Sequence, residues 1–397
     1  MSEASDVRSA DLDNSDPIAR ARQLVPLVRA YADESERERR LAAPVADALR
    51  AQGLFAMGLP RSLGGLETSV SIAMRAIEET SYADGATGWN VMIAFDTGLW
   101  AGHLSAPQTR AMIASIDRPI IAGSVNPPGR IHRSGENYRI TGRWRFGSGC
   151  QQADMFLLPA ILHERDKPVI GPAGVPSMVV AAVKSADVKI LDTWRVAGLR
   201  GTGSHDFTVN DLSVAEGFIE PINFTEPMER GTLYAFPMFV SFAAAKAAVA
   251  IGIARRAIES LIELSQAKTP MGQASLLRDR PAIQADVARA AAIVRSTRAF
   301  LHETISEVWD ALESGEQVTE EQRAYVRIAA VEGVTRAAHA VDLMYNAAGA
   351  SSIYETSPLE RCFRDVHVVT AHVVVQPAMY EVSGRVLLGL PAASPVW

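Results

Sequence analysis

The chain changes its hydrophobic period twice, and this constrains the fold more than any single motif. From Pro17 to Ser115 apolar residues recur at helical spacing. Between 119 and 216 they fall into short runs, "IIAGSV", "YRITGRWRF", "MFLLPAIL", "SMVVAAV" and "DFTVNDLSV", with Gly, Pro and Asp between them. From about Phe236 onward helical spacing returns. A period near 3.6 buries one stripe of a helix, and a period of 2 buries one face of a strand. The order predicts an α+β chain with an N-terminal helical domain (17–118), a central β-barrel or sandwich domain (119–222) and a C-terminal four-helix bundle (223–397). Residues 1–16 carry many acids and few large apolar side chains, and are expected to form a disordered tail.

Local signals refine this. "ARQLVPLVRAYADESERERRLAAPVADALRAQG" reads as two helices, the second stopped by Gly53. "GATGWNVMIAFDTGLWAGHL" is apolar nearly all round and is expected to be a buried helix. In the bundle, apolar residues at 283, 287, 290, 294, 301, 305, 308 and 312 form a helical stripe that Arg298 interrupts. Thr319 with Gln322 resembles a capping box. Ser357, Pro358 and Glu360 suit N-cap, N1 and N3 of a last helix.

The 397 residues are 48% hydrophobic, enough for a large core, and carry a net charge of −6 with no long basic block, so no nucleic-acid partner is expected. Two cysteines, Cys150 and Cys362, argue for a reducing compartment without a disulfide framework. There is no signal-peptide core, and no run of about 18 uncharged apolar residues, so a cytoplasmic protein without a membrane partner is expected. His367 and His372 are five residues apart, about 140° around a helix, and point in different directions; no metal is expected. No G-x-G-x-x-G follows a strand, so a nicotinamide site is not expected.

Four segments, in order, resemble the acyl-CoA dehydrogenase superfamily: "LRAQGLFAMGLPRSLGG", "ITGRWRFGSGCQQADMFLL", "WRVAGLRGTGSHDFTVNDLSVAE" and "YNAAGASSIYETSPLERCFRD". The resemblance covers roughly residues 17–390. Its dehydrogenases use a glutamate base shortly after the R-x-x-RD motif, and here no acid lies between Asp365 and Glu381; His372 stands in that stretch. With "F-x-SGC" and "LLGLP", the pattern resembles the flavin-dependent two-component monooxygenases. That branch includes phenol hydroxylases, dibenzothiophene monooxygenases and amino-sugar N-oxygenases. The resemblance implies reduced flavin (FMN or FAD) supplied by a separate flavin reductase, addition of O2 at flavin C4a, and transfer of one oxygen to a small aromatic, heteroaromatic or amine-bearing substrate. It also implies a homotetramer. The alternatives are an acyl-CoA dehydrogenase or oxidase with a relocated base, Glu381 being the nearest acid, or a non-catalytic flavin-binding member.

Site expectations follow. Ser148 shares strand parity with Trp144 and Phe146, so all three are expected on one side. Ser148 is expected to bond the flavin edge or its oxygen adduct, with Phe146 packing on the flavin. Otherwise the segment is a strand ending on glycines. His372, about 14 residues and roughly 21 Å into the last helix, is expected to manage a proton, with Pro377 kinking the helix beside it. Asn126 in "SVNPPG" either donates to a flavin oxygen or sits in a Pro-Pro-Gly turn. Arg278 and Lys268 are candidates for the flavin phosphate, and Arg200, Thr202 and Ser204 are donors on a loop over the flavin or on a turn. Trp89 and Asp96, on the buried helix, are substrate-contact candidates. The alternative for Asp96 is to cap a helix or pair with an arginine, since a buried acid needs a partner.

Overall fold

A computed structural model describes residues 16–126, 129–172, 174–394 and 396–397. The expected disordered tail lies outside these residues except for Asp16, whose side chain accepts from the Ile18 N–H and caps the first helix. That helix, α1 (Pro17–Glu38), is followed by α2 (Ala43–Ala51), α3 (Val70–Ala83), α4 (Gly85–Ala101) and α5 (Pro107–Ala114). Nearly every side chain of α4 is buried, as its uniform apolarity predicts.

The central block is one mixed nine-stranded sheet, comprising β1 (Ile121–Gly123), β2 (Gly129–Ser134), β3 (Asn137–Gly147), β4 (Met155–Glu164), β5 (Lys167–Pro168), β6 (Met178–Lys184), β7 (Lys189–Leu191), β8 (His205–Ala215) and β9 (Ile219–Pro221). The strand order is β7-β8-β3-β2-β4-β6-β9, and β1 and β5 also pair with β4. β1 and β2 run parallel to β4, and the other pairs are antiparallel. The sheet has its own core, centred on Trp144, Phe156 and Phe207. Trp144 stacks on Phe207 at 5.7 Å.

The chain then forms α6 (Thr232–Ala235), α7 (Met238–Ser265), α8 (Pro281–Glu313), α9 (Glu320–Ala348), α10 (Pro358–Thr370) and α11 (Ala378–Leu387). Helix α7 is apolar and long enough to cross a membrane by length and composition, but 89% of that window is buried in the protein, where it is the central core helix. One continuous core joins α3, α4 and α7 to the rest of the bundle. Arg298, which interrupts the α8 stripe, bonds the fully buried Glu78 of α3 at 2.5 Å, and His302 bonds the same carboxylate at 2.6 Å. The Thr319–Gln322 capping box forms. Ser357 occupies the N-cap and Pro358 the first turn, but Glu360 does not reach back. Its carboxylate is held by Arg364 at 2.5 and 2.7 Å.

The last helix differs from expectation. α10 stops at Thr370, and His372 lies beyond it, at the N-cap of a short 3-10 turn over Val373–Val375. Pro377 does not kink a helix; it precedes α11. Three consecutive β-branched valines, and the extended conformation that a proline imposes on the preceding Gln376 (ψ 153), end the helix early.

Candidate active site at the junction of sheet and bundle

β3 and β8 shift register once between Ile140 and Gly142, pair Trp144 with Phe207, then shift again so that Gly147 faces His205. The extra residue makes a bulge and reverses the expected parity. Phe146 sits at φ 61, a left-handed conformation rare for a non-glycine residue, and its ring turns outward, 68% exposed, while Trp144 stays fully buried in the sheet core. Trp144, Phe146 and Ser148 therefore do not share one side. Gly147 is required at this crossing, because a Cβ would lie 2.6 Å from the Phe207 ring. Beyond the bulge, buried Ser148 accepts from Trp89 Nε1 at 3.1 Å and lies 2.6 Å from the Ser204 hydroxyl. Ser204 lies 2.7 Å from the Thr202 hydroxyl, which donates to the Leu199 carbonyl at 2.8 Å.

Three motifs meet at the Leu199–Ser204 turn. Asp365 of α10 accepts from the Leu199 N–H at 2.5 Å, and Arg364 donates to the Ala197 carbonyl at 2.6 Å. Gly198 permits this approach: a Cβ there would lie 2.3 Å from the Arg364 carbonyl oxygen. Gly149 N–H donates to the Thr202 carbonyl at 2.9 Å and Cys150 Sγ to that of Gly203 at 3.3 Å. The R-x-x-RD motif thus holds the turn that carries Thr202 and Ser204, and that turn holds Ser148.

His372 completes the wall. Its ring meets Trp89 edge-on at 5.7 Å. Its Nδ1 accepts from the Val374 N–H at 3.4 Å, so in the neutral ring the hydrogen sits on Nε2. Burial, with the nearby Lys246 ammonium, pushes the imidazole down to about 3. The surface His372 keeps faces the cavity it lines. That cavity, about 360 Å³, is bounded by Trp89, Phe146, Trp194, Leu199, Val368 and Val373, with Ser148, Thr202, Ser204, His372 and Gln376 as its polar groups. Among the described residues, no carboxylate lines it. The volume suits a small-molecule ring system. The exposed Phe146 ring, edge-to-face with Trp194 at 6.3 Å, provides an aromatic wall. A flavin ring fits this set: flat aromatic walls, an apolar body and polar groups at one edge.

Among the predicted residues, Ser148, Phe146, His372 and Trp89 come together here. Asp96 does not line the cavity. It pairs with Lys246 of α7, both nearly fully buried, and burial raises its carboxyl to about 6. Oδ2 makes that pair and Oδ1 is buried without a partner, so Asp96, expected as a substrate contact, is placed behind the cavity wall rather than on it. Asn126 is exposed on the loop after β1, its N–H 3.3 Å from Ser124 Oγ, and does not line the cavity; the prolines of "SVNPPG" lie outside the described residues. Arg278 bonds Gln266, at the far end of α7, roughly 30 Å from Lys246 by helix rise. Lys268, at that same end, caps α9 through Ser351 at 2.7 Å and the Ala348 carbonyl. Neither reaches the cavity within one chain. Arg200 lies on the Leu199–Ser204 turn but outside the lining. Glu381 is exposed on α11, away from the cavity. His367 pairs with Asp342 at 2.9 Å and packs on Phe363. Trp194 and Lys246 escaped the sequence reading, although a lone lysine in "FAAAKAAVAIGIA" is a signal for a buried partner.

Residues 20–108 match the family model described as the acyl-CoA dehydrogenase N-terminal domain, and residues 244–377 match that of the C-terminal domain. The chain is 30% identical over 366 residues to indole-3-acetate monooxygenase of Pseudomonas putida, covering 91% of this chain and 90% of that protein. It is 27% identical over 378 residues to the flavin-dependent monooxygenase oxygenase subunit HsaA of Rhodococcus jostii, covering 93% and 97%. The fold matches XiaF from Streptomyces sp., solved with FADH2 and glycerol, with a TM-score of 0.87 at 22% identity over 98% and 99% of the two chains. On these matches, the chain belongs to the acyl-CoA dehydrogenase superfamily, in its flavin-dependent monooxygenase branch.

Proposed function

We propose that this chain is the oxygenase component of a two-component system, taking reduced FMN or FAD from a separate reductase and oxygenating a small aromatic or heteroaromatic substrate. One observation carries the reading: among the described residues no carboxylate lines the cavity, and the one ionisable lining side chain, His372, is held neutral. An acyl-CoA dehydrogenase needs a carboxylate to take the α-proton. A cationic amine would find no counter-ion here, which favours a neutral ring over an amine-bearing substrate. Bound reduced flavin would supply the two electrons that activate O2, one atom of which passes to the substrate while the other leaves as water. The chain contributes the rest. Trp89, Trp194 and Val373 hold a flat ring and exclude water. His372 Nε2–H donates to an oxygen at the reacting end. The exposed side chains of Leu387, Leu388 and Leu390 support assembly into a homotetramer, and the two buried free thiols suit the reducing cytoplasm.

The test supplies reduced flavin through any flavin reductase under ¹⁸O2, with a panel of indoles, phenols and acyl-CoA thioesters. Incorporation of one ¹⁸O atom into an aromatic or heteroaromatic product is expected. Desaturation of a thioester with no labelled product would overturn the reading.

A further inference from the structure

The hydroxyls behind Ser148 form a chain whose hydrogens run one way. The Leu199 carbonyl can only accept, so Thr202 donates to it and must accept from Ser204. With its one hydrogen spent on Thr202, Ser204 must accept from Ser148. Ser148 in turn accepts from Trp89 Nε1. Each of these residues is nine-tenths or more buried, so water does not reset the directions. Ser148 therefore has no hydrogen left for the cavity. It presents one lone pair, and only a donor on the ligand satisfies it.

This matters for a flavin because the edge of its central ring changes character with redox state. The reduced ring carries N–H at N5, whereas the oxidised ring carries a lone pair there. We propose that Thr202 and Ser204 are redox-specificity residues: by fixing Ser148 as an acceptor, they make the site favour reduced over oxidised flavin. The inference rests on the flavin reading above. It gives the two residues a purpose beyond turn formation, since the Ser204 bond to Ser148 leaves the turn and reaches the end of β3. An oxygenase that receives its flavin from solution gains from such selection, because oxidised flavin does not occupy the site.

The experiment measures Kd for oxidised and for dithionite-reduced FMN and FAD, anaerobically, by fluorescence. The wild-type chain is expected to bind the reduced form at least about tenfold more tightly, the scale of one buried hydrogen bond gained or opposed. Ser204→Ala frees the Ser148 hydrogen to turn toward the cavity, and Thr202→Val frees it indirectly. Both should tighten oxidised-flavin binding and reduce the preference about tenfold, with reduced flavin still bound as evidence of an intact site. Thr202→Ser keeps the hydroxyl and should restore the wild-type ratio. Equal affinity for the two redox states in the wild-type chain, or a ratio unchanged in both Ser204→Ala and Thr202→Val, overturns this proposal while leaving the flavin reading intact. Failure of the wild-type chain to bind flavin in either state overturns the flavin reading and this proposal with it.

Discussion

At the residue scale, two of the polar groups that line the cavity are fixed in complementary senses: Ser148 accepts and His372 donates. A neutral imidazole with its hydrogen on Nε2 is a hydrogen-bond donor and not a base. Turnover should therefore show no inflection from this ring between pH 5 and 9. An inflection near 6.5 that disappears in His372→Phe would contradict the assignment. That variant should still bind reduced flavin and lose about a hundredfold in product formation, the usual cost of one preorganised donor. The ring also couples stability to pH. Its folded value, about 3, lies below the usual 6.5, so the unfolded chain binds the extra proton between those limits. Its contribution is full above pH 6.5 and is lost as pH falls toward 3. Urea unfolding at pH 7.5 and pH 5 should show a smaller acid loss in His372→Phe than in the wild-type chain. The residue pattern was partly legible. Asp96 and Lys246 are lone charges of opposite sign, each in an apolar run, and each needed a partner. Sequence alone shows the two needs, whereas the pairing depends on how α4 crosses α7.

At the element scale, the site depends on how two short connections are held. The Leu199 turn is tied to α10 by Asp365. Burial, with Asp84 close by, raises that carboxyl to about 7 from the usual 3.8. The folded chain thus holds an extra proton between those values, and the stability it contributes fades as pH rises through 7. Asp365→Asn keeps an acceptor for the Leu199 N–H and removes the titration. Relative to wild type, its Tm should rise between pH 5 and pH 8; a difference that does not change with pH would contradict this. The His372 turn is tied by Arg327, a fully buried guanidinium that donates to the Val374 carbonyl at 3.3 Å and to the Val396 carbonyl at 2.6 Å. Burial pushes it down to about 10. Arg327→Met fills similar volume, so folding should survive while the turn loosens. Product formed per reduced flavin should fall several-fold with flavin affinity little changed, measured by product yield against hydrogen peroxide. The early end of α10 was missed because the residues around His372 match a helical pattern, and the break comes from a valine run acting together with a proline five residues on. The bulge was missed for a related reason: strand parity holds only while the ladder stays in register.

At the scale of the whole molecule, the architecture was legible because period is a property of long segments, and each of the three blocks is long. The connectivity of the central block was not, since short strands do not reveal their neighbours; it is one mixed sheet with a core of its own. The two helical blocks share a core and are pinned by Glu78 of α3 with Arg298 and His302 of α8. Glu78→Ala removes the acceptor that Arg298 and His302 share and should cost about 3 kcal/mol in urea unfolding. A loss near zero would show that the blocks are held by apolar packing alone. The central claim is that reduced flavin binds where sheet and bundle meet. A crystal structure of the chain grown anaerobically with reduced flavin tests it most directly. Density for the ring is expected between Phe146 and His372, with its N–H edge at Ser148. An empty cavity with flavin bound elsewhere on the chain would contradict it.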